Sequence, residues 1–147
     1  MDDAEKLKHE ALVVNDLLTQ YVDLHNHYLK SAGTFRSLFK KVNFKRLSQD
    51  AHLVFEKFRD EVDRLEEMRN EVRGDKEEEF ADCLLLYTKS LTKTTHFLFI
   101  LLKALKDKVE GNKLSFSGHM ENDKKYQKSI ETYTEYGQKL NILYSNL

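Results

Sequence analysis

Three histidines are the first residues in this sequence that could do chemistry together. His25, His52 and His96 fall on three separate stretches of helical periodicity. His25 occupies the apolar stripe of the first stretch, while His52 and His96 stand beside the stripe residues Ala51 and Thr95. His52 lies 22 residues before Gly74 and His96 lies 21 residues after Asp75. An antiparallel pair of helices would therefore carry the two at one height, with His25 within a turn or two of that level. Three imidazoles from three helices can face a divalent metal, and Asp23 and Asp50 could complete the shell or orient the rings. The competing reading makes His25 a core histidine bonded to a tyrosine or a carbonyl and leaves the other two in water. The chain has no Glu-x-x-His pair and no His-Glu-x-x-His motif, the patterns that mark di-iron bundles and zinc hydrolases. Apart from that metal, no cofactor is expected.

A second group is basic and aromatic. From Ser31 to Gln49 there is no acidic residue, and Arg36, Lys40, Lys41, Lys45 and Arg46 are interleaved with Phe35, Leu38, Phe39, Val42 and Phe44. A basic amphipathic turn can bind an anion, rest on an anionic membrane surface or hold nucleic acid. The alternative is that the phenylalanines cap the end of the fold while the lysines are solvated. With 24 basic and 25 acidic residues and a formal net charge of −1, the chain taken whole carries no strong nucleic-acid signal. The stretch from Glu56 to Asp82 is acidic, with twelve carboxylates and six basic residues. It reads as a solvated face in which Asp60 and Arg64 form an i,i+4 pair.

A third group is apolar. The run Phe97-Leu98-Phe99-Ile100-Leu101-Leu102 is oily all round the helix. Such a stretch is covered on more than one side, either by the centre of its own fold or by a second chain. Phe97, Phe99, Ile100 and Leu101 are accordingly the candidate self-association residues. Six apolar residues are far short of the roughly 20 that span a bilayer. No nucleophile signature, glycine-rich phosphate loop or paired cysteine is present. The expected role is a non-enzymatic interaction module whose partner is a protein or a second copy, in a homodimer.

These residues need elements to hold them, and the sequence supplies helices. The 147 residues contain no proline and only five glycines, where average usage would give roughly seven prolines. Helix one is expected from Asp3 to Lys30, with the stripe Leu7, Ala11, Val14, Leu18, Tyr21, His25 and Tyr28, widened by Leu17, Val22, Leu24 and Leu29. A short helical turn over 34–42 follows, and Asn43 is the expected N-cap of helix two. Helix two runs from Phe44 to Val72 on Leu47, Ala51, Val54, Phe58, Val62, Leu65, Met68 and Val72. Gly74 ends it, and Asp75 with Glu78 could form a capping box for helix three. Helix three runs from Lys76 to Glu110 on Phe80, Leu84, Tyr87, Leu91, Thr95, Leu98, Leu102, Leu105 and Val109. A loop is expected over 111–119, then helix four from Glu121 onward on Tyr126, Ile130, Tyr133, Gly137, Leu140, Tyr144 and Leu147. A glycine on a buried stripe implies close approach of a neighbour. Short connections force antiparallel neighbours, so the expected fold is all-α: an up-and-down four-helix bundle in one domain over 1–147. The opening Met1-Asp2-Asp3-Ala4-Glu5-Lys6 lacks the character of a targeting segment. The lone Cys83 cannot pair within the chain. A cytoplasmic setting is the expectation.

Overall fold

The computed structural model describes residues 1–31 and 42–147. Among these it contains four helices and no strand: α1 (Asp3–Ser31), α2 (Phe44–Glu71), α3 (Asp75–Val109) and α4 (Phe116–Ser145). Each is antiparallel to the next, because contacting residue numbers rise on one helix as they fall on the other. Lys57 and Arg64 of α2 meet Gln20 and Glu10 of α1. Phe55 stacks on His96, and Arg69 bonds Asp82. Phe80 and Tyr87 of α3 meet Tyr144 and Tyr133 of α4. The ring closes where Tyr21 and Tyr28 of α1 meet Tyr126 and Asp123 of α4. The all-α four-helix bundle expected from periodicity is the fold observed. The expected turn over 34–42 lies outside the described residues except for Val42, which leans on the core.

The helix starts follow local chemistry. Asn43 caps α2, its side chain accepting from the Arg46 backbone N–H at 3.0 Å. The capping box expected at Asp75 and Glu78 does not form. Gly74 is the N-cap without a side-chain bond, at φ 107°, a conformation open chiefly to glycine. The Glu78 carboxylate turns instead to Arg69, 3.4 Å away. α4 begins at Phe116 rather than Glu121, because Ser115 caps it by accepting from the Gly118 N–H at 3.0 Å. The two glycines had masked that first turn.

α3 is the central element, packed closely along both α2 and α4, while α1 stands further off. Its stripe from Phe80 to Leu105 is buried throughout. Thr88, Thr94 and Thr95 are buried on it without crossing to another helix. Their hydroxyls donate to the carbonyls four residues back, at 2.7, 2.9 and 2.8 Å. Gly137 behaves as expected: a Cβ there would lie 3.1 Å from the Tyr87 ring.

In α1 the buried stripe is rotated from the expected one. Leu7, Glu10, Val14, Leu17, Tyr21, Leu24 and Tyr28 are inside. Ala11, Leu18 and His25 are half-buried beside them, and Val22 and Leu29 are exposed. Both stripes alternate three and four residues, so spacing alone could not choose between them.

Candidate functional site

The bundle interior holds two polar clusters, and an aromatic face lies outside it. The first cluster joins α1 to α4. The backbones of these two helices stand apart, and tyrosines fill the gap. Tyr126, fully buried, places its hydroxyl 2.6 Å from both the Tyr21 hydroxyl and His25 Nδ1. The Tyr28 hydroxyl donates to Asp123 Oδ1 at 2.8 Å. Tyr21 packs edge-on against Tyr133, and Tyr28 against Tyr126. Burial lowers the His25 pKa, with the charge of Asp123 opposing. With the imidazole proton on Nε2, Nδ1 accepts from the Tyr126 hydroxyl, and Tyr126 in turn accepts from Tyr21; the other tautomer reverses both bonds. Burial also raises Tyr21, Tyr28 and Tyr126 far above the usual phenol range, which keeps these three phenols neutral.

The second cluster lies between α1 and α2 and is acidic. Glu10 and Glu61 are each 3% exposed. Arg64 Nη2 reaches Glu10 Oε1 at 2.9 Å, and Nη1 reaches Glu61 Oε2 at 3.9 Å. This displaces the expected Asp60–Arg64 pair: the Arg64 side chain, itself exposed, caps the two buried carboxylates from the surface. Burial raises the Glu61 pKa to about 8, helped by the adjoining Glu10 carboxyl and opposed by the charge of Arg64. Glu10 Oε2 and Glu61 Oε1 find no hydrogen-bond partner among the described residues. Sequence reasoning missed both glutamates because they are charged. The signal was present nonetheless: Glu10 is three after Leu7 and four before Val14, and Glu61 is three after Phe58 and four before Leu65. Each fills a gap in a buried stripe.

The three histidines are not gathered into one site. His25 is committed to Tyr126 on the α1–α4 side. His52 and His96 are exposed on the far side, across α2 and α3, where His52 Nε2 sits 2.9 Å from Glu56 Oε1. No group of three His, Cys, Asp or Glu side chains that could hold a metal occurs among the described residues. His52 stands opposite Phe99 and His96 opposite Phe55, so the two histidines are offset by three residues along their helices rather than level. Height says nothing of which way a helix face points.

What His52 and His96 do form is an aromatic tetrad. Both helices carry a His-x-x-Phe step, His52 to Phe55 and His96 to Phe99. Because the helices are antiparallel, the steps interlock. The His52 ring lies 5.1 Å from Phe99, and the His96 ring lies 5.0 Å from Phe55. Leu53 and Ile100 flank this face with 55% and 38% of their surface exposed. A shallow cavity of about 420 Å³ opens beside it, lined by Ser48, Gln49, His52, Leu53 and Phe99.

The candidate self-association residues divide accordingly. Leu101 is fully buried with Leu98 and Leu102, so it serves this chain's own core. Phe97 turns toward α4, under the Lys93 ammonium. Phe99 and Ile100 alone belong to the outer face. Of the basic candidates, Arg36, Lys40 and Lys41 lie outside the described residues. Lys45 and Arg46 are exposed, and Arg46 shares a cavity wall with Asp23 and Asp50, whose carboxylates oppose an anion there. Cys83 is buried, and that burial raises its thiol pKa and disfavours the reactive thiolate.

No helix among the described residues is long and apolar enough to cross a membrane. No family model, curated protein or solved structure matches this chain. What fold and surface define together is an all-α four-helix bundle with a neutral tyrosine seam, a buried acidic pair and an exposed imidazole–phenyl face.

Proposed function

We propose that the bundle is a non-enzymatic interaction module that associates with a second copy of itself through the outer face of α2 and α3. The observation that carries this reading is the tetrad of His52, Phe55, His96 and Phe99, flanked by exposed Leu53 and Ile100. An apolar face rimmed by polar side chains is a common mark of an interface, and aromatic residues are enriched at such centres. The partner is taken to be a second copy because the face is nearly symmetric in itself. Two antiparallel His-x-x-Phe steps relate by a local twofold, and a twofold dimer places the same patch on both sides of its axis. A net charge of −1 leaves little repulsion between copies. A cytoplasmic setting belongs to this reading, resting on the lone cysteine.

Light scattering across a concentration series tests it. The expected outcome is a reversible monomer–dimer equilibrium that the double variant Leu53→Asp, Ile100→Asp abolishes. Both side chains are exposed, so the helical circular dichroism and melting of the variant should stay close to wild type. A strict monomer at high micromolar concentration overturns the reading, as does a dimer that survives both substitutions.

A further inference from the structure

The groove between α3 and α4 brings basic, hydroxyl and aromatic side chains together. It is a cavity of about 230 Å³ lined by Ser90, Lys93 and Phe97 from α3 and by Lys125, Lys128, Ser129 and Thr132 from α4. Three lysines line it and no acidic residue does. The chain as a whole has nearly balanced charges. Lys89, one turn before Lys93, is paired with Glu66 at 3.1 Å. Lys125 reaches Glu121 only at 3.8 Å. Lys93 and Lys128 have no ion-pair partner among the described residues, and the Lys93 ammonium rests 5.8 Å from the Phe97 ring centroid. Three lysines around one groove, two of them without an ion pair among the described residues, raise the local positive potential and favour an incoming anion.

We infer that this groove binds a small phosphate monoester carrying a flat apolar ring. The ammonium groups act as rotatable point charges suited to a phosphate dianion. Phe97 supplies an apolar wall for the ring to pack on. The groove hydroxyls are engaged with their own helices: Ser90 donates to the Tyr87 carbonyl at 2.7 Å, Ser129 to Tyr126 at 2.6 Å and Thr132 to Lys128 at 3.3 Å. The long Thr132 bond is the weakest of the three, so this hydroxyl turns toward an anion at least cost. The cavity volume admits one phosphate and one ring. The groove lies on the α3–α4 side, away from the α2–α3 face, so binding there does not depend on self-association.

The probe is phenyl phosphate, titrated into the full chain at low ionic strength by calorimetry or by backbone amide shifts. Inorganic phosphate and phenol serve as the two partial ligands. The expected result is saturable binding of phenyl phosphate that is tighter than either partial ligand and weakens as salt is raised. Lys93→Gln and Lys128→Gln should each weaken it about five- to tenfold, with unchanged circular dichroism. Phe97→Leu should bring phenyl phosphate down to the affinity of inorganic phosphate. The inference is overturned if phenyl phosphate does not bind saturably, if the two lysine variants bind it as wild type does, or if phosphate without the ring binds as well.

Discussion

The two buried polar clusters solve the same problem in opposite ways. Between α1 and α4, Tyr126 bonds both His25 and Tyr21, and Tyr28, packed edge-on against Tyr126, bonds Asp123, so each buried hydroxyl has a partner. Between α1 and α2, Glu10 and Glu61 share one guanidinium, and each keeps an oxygen without a partner among the described residues. A phenol and a neutral imidazole each combine donor and acceptor character, so they can be chained through the gap between spaced helices. An ionised carboxylate only accepts, so two of them side by side need a proton between them. The first cluster is therefore a source of stability and the second a pH-dependent liability.

The largest expected effect breaks the satisfied cluster. Tyr126→Phe removes the hydroxyl on which His25 and Tyr21 converge. Leaving buried polar groups unsatisfied should destabilise the fold by about 2–4 kcal/mol, measured by urea denaturation near neutral pH. A loss below about 1 kcal/mol would mean that the two neighbours find other partners and the network is not a unit.

Next comes the acidic pair. The folded-state pKa of Glu61 rises from 4.5 to about 8, so between those values the folded state holds a proton that the unfolded chain has released. The corresponding stability is complete below pH 4.5 and is lost as pH rises toward 8. Glu61→Gln keeps the shape and supplies a permanent donor toward Glu10. It should match wild type at low pH, flatten the decline, and exceed wild type by about 1–2 kcal/mol once that decline is complete. Parallel pH-dependent melts of the two proteins check this, and identical slopes would remove the shared proton from the picture.

The smallest effect has the opposite sign. The His25 pKa is lowered from 6.5 by burial, so its contribution is present above 6.5 and is lost as pH falls through the depressed folded value. His25→Gln should erase a rise in stability with pH while leaving the Glu61-dependent fall intact. Because His25 is only half-buried, the change should stay under about 1 kcal/mol. Additive slopes in the double variant Glu61→Gln, His25→Gln would establish that the two clusters titrate independently.

The fold was largely legible in the sequence because helices leave a periodic trace. The α3 stripe from Phe80 to Leu105, the Asn43 cap and the close approach at Gly137 could all be read from spacing and residue type. The site was much less legible. Spacing assigns His25, His52 and His96 to three helices, but the faces they occupy depend on how each helix is rotated. In α1 the spacings 7-11-14-18 and 7-10-14-17 are equally helical, and choosing the apolar set hid Glu10. The Lys93, Lys125 and Lys128 groove draws on two helices whose lateral pairing no local pattern encodes.

The sequence by itself determined four amphipathic helices, their near boundaries and their up-and-down order. Those follow from backbone geometry, capping and short connections, all of which act over a few residues. Only the tertiary structure decided which way each helix turns. Rotation is set by the summed packing of all four, and a shift of about 100° per residue step moves a side chain from core to solvent. That rotation buries Glu10 and Glu61, separates His25 from the other two histidines, and leaves His52, Phe55, His96 and Phe99 facing outward.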